Sequence, residues 1–448
     1  MSNREIILEA YRQGPEAVVE LMEALFERLE ELRAENEALQ ARIKALEARL
    51  ATDSHNSSKP PSSDPAPAKP RSLRPKSENK PGAQPGHKGV HLSLSEHPDH
   101  IVLHPPQQCE GCGAQLEDSE VLSYERRQVV ELPPLKLEVT EHRAECKQCE
   151  SCGRTSQGQF PEAVGQSVQY GPSIKALGVY LLQYQLLPFE RSTELFEHLF
   201  GDSLCEGTLY AAVGECSQGL VGAEAAIKQG LEESGVVHYD ETGLRVCGAG
   251  WWVHVASTPS LTHLSCHPKR GKTATKEIGI LPHFKGVAVH DAWDSYRSYR
   301  CRHALCNAHH LRELTWVEEQ LKQSWAGELK QLLVEIKAEV ERAVEAAEAG
   351  LGSEQLCEYE RRYLELLQQG EEHNPVQPRA EGKRGPPGRS KARRLVDRLR
   401  ERRGEVLLFM YDFTVPLDNN QAERDLRMVK VKQKVSGDFR SEGGSRGL

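Results

Sequence analysis

Val236-Val-His-Tyr-Asp240, Trp251-Trp-Val-His-Val-Ala-Ser257 and Leu261-Thr-His-Leu-Ser-Cys-His267 are short runs rich in β-branched and aromatic residues. Turn-forming stretches at Gly248–Gly250 and Thr258–Ser260 separate them. Runs of this kind read as three strands joined by turns, hence antiparallel neighbours. A helical stretch at Thr273–Leu281 follows, then an apolar strand, Gly286–His290, that ends at Asp291, and another strand near His303–Asn307.

Three antiparallel strands, a crossover helix and a parallel strand give a β-β-β-α-β order, the core order of an RNase H-like α/β fold. In such a sheet the first and fourth strands are neighbours. Asp240 and Asp291, each at a strand end, then meet at one edge. Two like charges side by side are costly unless a cation joins them. Mg²⁺ (or Mn²⁺) takes oxygen ligands and is held by a few carboxylates together with substrate phosphate. Glu423, on a last predicted helix at Asn419–Val435, supplies the natural third ligand. Any one acid is more often a solvated surface group, and Glu241, Asp294, Asp418 and Asp425 compete for the same roles. The specificity lies in three acids on those particular elements.

The helix carrying Glu423 also presents Arg427, Lys430 and Lys434 at helical spacing, with Arg424 beside them. A solvated charged face is the ordinary reading of such a row. Beside a pair of strand-end aspartates it reads instead as a track for a phosphate backbone. Two more basic groups point the same way: Lys269, Arg270 and Lys272, and a Pro/Gly-rich loop that runs into Arg389, Lys391, Arg393 and Arg394. Between Arg379 and Arg403 there are 11 Lys or Arg residues. Net charge is −9, so it is local charge, and not the sum, that argues for nucleic acid.

Upstream, Leu25, Leu32, Leu39 and Leu46 recur every seventh residue, and Met22, Leu29, Asn36, Ile43 and Leu50 fill the companion positions. A heptad with one central Asn favours a parallel two-stranded coil, so a homodimer or higher oligomer is expected; a single amphipathic helix packed on its own domain is the alternative. The stretch from Asp53 to His91 is rich in Pro, Ser, Lys and Gly and reads as a flexible basic linker.

Cys109-Glu-Gly-Cys112 and Cys149-Glu-Ser-Cys152 are two C-x₂-C knuckles of the kind that hold structural Zn²⁺. Cys146 forms an overlapping pair with Cys149, which leaves the second knuckle's membership open. Cys301-Arg-His303-Ala-Leu-Cys306-Asn-Ala-His309-His310 resembles another cluster of ligands, but on a strand and helix start it reads as a satisfied structural group beside the acids. Gly271-Lys272-Thr273 lacks the first glycine of a phosphate-binding loop, because Cys266 stands there, so ATP is not indicated.

Length bounds the rest. The 448 residues suit several domains, and 38% hydrophobic with 27% charged residues suits a folded core. Apolar runs stay well short of the ~20 residues a bilayer span needs, and the start lacks a secretory pattern. The expected location is cytoplasmic, nucleoid-associated when DNA is bound. The fold class expected is multidomain α+β: a leucine-zipper coiled coil at 1–52, the linker at 53–92, and a zinc-binding domain at 93–168. A helical domain follows at 169–232, read either as a DNA-binding helix-turn-helix or as plain helical packing. The catalytic core occupies 233–312 and 404–448, interrupted by a helical insertion with a basic loop at 313–403.

Over almost its whole length the chain resembles the insertion sequence 66 family of bacterial DDE transposases. The resemblance rests on His55–Asp64, Pro81–Gly89, Val168–Leu187, His238–Gly243, His290–Tyr296, Leu305–Leu314 and Asp418–Ser441. It implies a zipper, a zinc-binding domain with its second knuckle at Cys149 and Cys152, and DDE acids at Asp240, Asp291 and Glu423. It implies metal-dependent DNA cleavage and strand transfer on double-stranded DNA, with accessory proteins of the element as a further partner class. Asp294 and His310 depart from the pattern. Relatives also continue beyond the Arg-Ser-Glu string into another helical segment, so the C-terminus reads as truncated. The competing expectation is therefore a catalytically inactive DNA-binding remnant that regulates transposition.

Overall fold

The structure is a computed structural model that describes residues 3–50, 82, 86, 88–89, 92–133, 135–376, 388–441 and 443. The linker expected at 53–92 therefore lies almost wholly outside the described residues, as do 377–387 of the basic loop and 444–448. The chain forms two compact units. One takes the described parts of Met1–Arg71, Lys175–Pro188 and Leu209–Leu448, the other those of Ser72–Ile174 and Phe189–Thr208.

Helix α1 (Asn3–Gln13) and helix α2 (Pro15–Leu50) flank Gly14, whose φ of +118° suits glycine. The heptad residues of α2 lie on the outside of this single helix: Leu25, Leu32 and Leu39 are about half exposed. In the other unit the only strands among described residues are β1 (Cys146–Gln148) and β2 (Thr155–Gln157), an antiparallel pair with Cys146 opposite Gln157. The remaining expected strands of 93–168 are irregular chain. The helical stretch 169–232 supplies α3 (Pro172–Val179), a π-turn at Tyr180–Tyr184, α4 (Phe189–Phe200), α5 (Glu206–Gly219) and α6 (Val221–Glu232).

The sheet begins with β3 (Val236–Val246), which turns at Cys247 and Gly248 into β4 (Ala249–Ser257) and then β5 (Thr262–His267). Helices α7 (Lys272–Ile278) and α8 (Ile280–His283) carry the chain across to β6 (Val287–His290), and β7 (Arg302–Leu305) completes five strands in the order β5-β4-β3-β6-β7. The first three are antiparallel; β6 runs parallel to β3 and to β7. The expected single crossover helix is two, because Gly279 at φ +93° ends the first with a left-handed cap. All four residues of β6 are buried, as a central parallel strand requires.

From Cys306 the chain leaves the sheet into α9 (Asn307–Leu321), α10 (Ser324–Glu345), α11 (Ser353–His373), α12 (Lys391–Glu401) and the short α13 (Arg403–Val406) and α14 (Leu408–Tyr411). These helices share one core around Trp325, Leu329, Ile336, Tyr363, Leu367 and Leu399. The insertion is thus a folded body that stabilises itself by apolar burial. Finally α15 (Asn420–Ser436) returns to the sheet and packs Ala422, Leu426 and Val429 against Leu244, Val253 and Val255 of β3 and β4. On the opposite face Leu231, Tyr239, Ile280, Leu281 and Phe284 close the core.

Gly286, just before β6, sits against backbone. A Cβ there would stand 2.7 Å from the Ser234 carbonyl oxygen and from the Phe284 ring. Gly286→Ala is expected to destabilise the protein by roughly 1–3 kcal/mol through overpacking, which thermal unfolding measures; an unchanged Tm would contradict this packing.

Candidate active site

The parallel register of β3 and β6 pairs His238 with Val289. Carried two residues further, it sets Asp240 beside Asp291, the residue that follows β6. Glu423 lies in the first turn of α15. What brings that turn to the sheet is Asn419, a residue the sequence reading passed over. Its side-chain amide donates to the Tyr239 carbonyl oxygen at 2.8 Å and its Oδ1 accepts from His238 Nδ1 at 2.9 Å. Its backbone N–H meets Cys306 Sγ at 3.2 Å, and Asn307 N–H bonds the Leu417 carbonyl at 2.9 Å. Asn419 is buried, so these bonds join the start of α15 to the first half of β3 and to the chain leaving β7.

Electrostatics report the same convergence. Burial pushes the Asp240 carboxyl well above the usual carboxylate range, and the negative charges of Glu241, Asp291 and Glu423 push it further. Burial also raises Asp291 and Glu423. Asp240 keeps one hydrogen bond, from the Glu241 N–H at 2.8 Å, and Asp291 one from the Trp293 N–H at 3.0 Å. Asp240 thus lies in the field of both other acids, and three carboxyls of this kind have the chemistry to hold a divalent cation, although their oxygens do not all lie within 4.8 Å of one another.

Glu241, the nearest competitor to Asp240, faces elsewhere. Its side chain is only 1% exposed and takes two bonds from Arg270, at 2.8 and 2.6 Å, and one from the Tyr296 hydroxyl. Arg270 in turn lies 4.7 Å over the Trp252 ring and 4.3 Å over the Trp293 ring. The other competitors are also engaged. Asp294 pairs with Arg402 and Arg297, Asp418 accepts from the Asn420 N–H, and Asp425 accepts from Thr262 and Gln421.

With that geometry in hand, a match to the transposase IS66 family covers residues 167–447. The chain belongs to the IS66 transposase family. A second match, to the zinc-finger binding domain of transposase IS66, covers residues 106–153, and a third, to a family of unknown function (DUF6444), covers residues 10–93. No curated protein matches.

The IS66 zinc-finger region contains two turns that repeat one another. Cys109 N–H bonds the Ala114 carbonyl and Gly113 N–H bonds that of Cys109, both at 2.8 Å; Cys149 N–H bonds Arg154 and Gly153 N–H bonds Cys149, again at 2.8 Å. Gly113 and Gly153 both have positive φ, +73° and +71°. In each turn the backbone aims N–H groups at the first sulfur. Those of Cys112 and Gly111 lower Cys109, and those of Cys152 and Ser151 lower Cys149. Thiols biased toward thiolate in paired turns fit a tetrahedral zinc. Cys146 lies outside the second turn, on β1. Among described residues the only set of three or more potential ligands with donor atoms within 4.8 Å of one another is Cys306, His309 and Glu423.

The basic residues divide into two groups. Arg270 is held by Glu241, and Arg393 and Arg389 by Asp397; Lys391 lies 4.0 Å over the Trp316 ring. Each of these four, expected on the DNA, has a partner within the protein, although Arg389 is exposed as well. Lys269, Lys272, Arg394, Arg424, Arg427, Lys430 and Lys434 are exposed. No helix among the described residues is long and apolar enough to cross a membrane.

Because folding raises the pKa of Asp240, its contribution to stability is full below the ordinary carboxylate range and is lost as pH rises through the raised value. Without Mg²⁺ or Mn²⁺, Asp240→Asn is therefore expected to gain stability relative to the parent as pH rises from about 5 to about 8. Thermal unfolding at the two pH values checks this, and a difference between variant and parent that does not change with pH would contradict it.

Proposed function

We propose that the chain is a DDE-type DNA transposase that binds the ends of its element and cuts and joins DNA strands. The convergence of Asp240, Asp291 and Glu423 on one edge of a β5-β4-β3-β6-β7 sheet carries this reading. That strand order, with two helices crossing to a parallel fourth strand, supports an RNase H-like core, with the helical body from α9 to α14 as its insertion. Bound Mg²⁺ or Mn²⁺ would activate the attacking oxygen and stabilise the leaving one. The three carboxylates would hold the ions, and Asn419 fixes the start of the helix that carries Glu423. Arg270, clamped by Glu241 and two indoles, keeps a partly exposed guanidinium near Asp291.

Water attacks a phosphorus at the element's end and frees a 3′-hydroxyl, which then attacks a phosphorus of the target strand. Each step exchanges one P–O bond for another, so no oxidant, reductant or nucleotide is consumed. The exposed basic row of α15, with Lys269, Lys272 and Arg394, tracks the duplex backbone. Cys109, Cys112, Cys149 and Cys152 would hold a structural Zn²⁺, and the leucines left open along α2 would pair with a second chain in a parallel coil. The protein works in the cytoplasm, on the nucleoid.

Asp240→Ala is expected to lower Mg²⁺-dependent cleavage of a duplex carrying the element's terminal repeat by at least ~10²-fold while repeat binding in a mobility-shift assay persists. Equal cleavage by parent and variant would overturn the assignment. If neither cleaves with Mg²⁺ or Mn²⁺ yet both bind, the chain is a DNA-binding regulator instead. For the DNA face, Arg427→Ala with Lys434→Ala is expected to reduce the slope of log affinity against log salt by about 1 per residue. An unchanged slope would remove that row from the interface.

A further inference from the structure

The run Cys301–His310 divides in the fold. His303 bonds His290 and the Tyr299 carbonyl, and His310 bonds the Asn307 side chain, so these are satisfied structural groups. Cys306 and His309 are different. Cys306 caps α9 and His309 follows one turn later, which sets thiol and imidazole on the same side as Glu423 arriving from α15. The donor atoms of all three lie within 4.8 Å of one another. Tetrahedral zinc, with bonds of about 2.3 Å to sulfur and about 2.1 Å to nitrogen or oxygen, sets its ligands about 3.5 Å apart. Small side-chain rotations suffice to close that gap.

Two further observations point to a ligand here. His309 Nδ1 is enclosed and lacks a hydrogen-bond partner, the kind of orphan that an ion explains. The Asn419 N–H already donates to Cys306 Sγ, as backbone amides do to metal-bound thiolates. A sulfur, an imidazole and a carboxylate suit Zn²⁺ and not Mg²⁺, which demands oxygen. We propose that Cys306, His309 and Glu423 form a second cation site, selective for Zn²⁺, that draws Glu423 away from Asp240 and Asp291 and so holds the protein in an inactive state. On binding, the Cys306 thiol releases its proton to solvent. The site stands on its own donors; only its effect on strand cleavage rests on Glu423 being catalytic.

The test uses the full chain equilibrated with buffered Zn²⁺ and its metal content measured for the parent, Cys306→Ser and His309→Gln. Both variants are expected to bind one zinc fewer than the parent while keeping the knuckle zinc, and Co²⁺ substitution is expected to give less sulfur-to-metal absorption in Cys306→Ser. Should the buried Cys306→Ser fold poorly, His309→Gln carries the same comparison. Equal zinc content in parent and His309→Gln overturns the site. With Mg²⁺ present, added Zn²⁺ is expected to inhibit cleavage by the parent and to spare His309→Gln. One zinc fewer with identical inhibition keeps the site and overturns its control of Glu423. Loss of all cleavage with the zinc difference intact counts against the transposase reading and leaves the zinc site standing.

Discussion

Three carboxyls that the fold buries together govern the rest of the arrangement. Each is pushed toward its protonated form, and Asp240 feels both of the others. Holding them together costs stability in the absence of a cation, so the surrounding structure has to fix them. It does so at two levels. The parallel ladder between β3 and β6 sets the aspartates, and the hydrogen bonds of Asn419 set the helix that carries Glu423. Both devices reach the backbone of β3, which holds the acids in place.

The same edge carries a second polar assembly of opposite character. Glu241 is ion-paired, hydrogen-bonded and capped by indoles, so its charge is compensated within the protein. Adjacent residues on one strand thus have different roles because their side chains leave opposite faces of the sheet. Glu241 is compensated by Arg270 and Tyr296, whereas Asp240 has no cationic partner and is the one proposed for chemistry. Arg270 belongs to the first assembly, yet it lies near enough to Asp291 to temper its raised pKa.

The sheet was legible in the sequence because period-two patterning and turn residues are local signals. The strand order followed from chain connectivity, and the last helix was expected within a residue of where it lies. Asp291 follows β6 as expected, but Asp240, expected to end its strand, lies inside β3, because the antiparallel ladder with β4 continues to Val246. Local patterns could not say that Gly279 would split the crossover helix, or that most of 93–168 would lack strands. Nor could they reveal the partners of Asn419, which lie some 180 residues away in the chain. Nor could charge runs show that Arg270 and Arg393 pair with Glu241 and Asp397, or that Lys391 lies over the Trp316 ring. Cys306 and His309 had a visible signal, their C-x₂-H spacing, but the third member comes from α15.

The most direct examination of the central claim is anomalous diffraction from crystals soaked in Mn²⁺. The account predicts density bridging the carboxylates of residues 240 and 291, with residue 423 completing the shell. Manganese bound elsewhere, with that edge of the sheet bare at saturating metal, would contradict it.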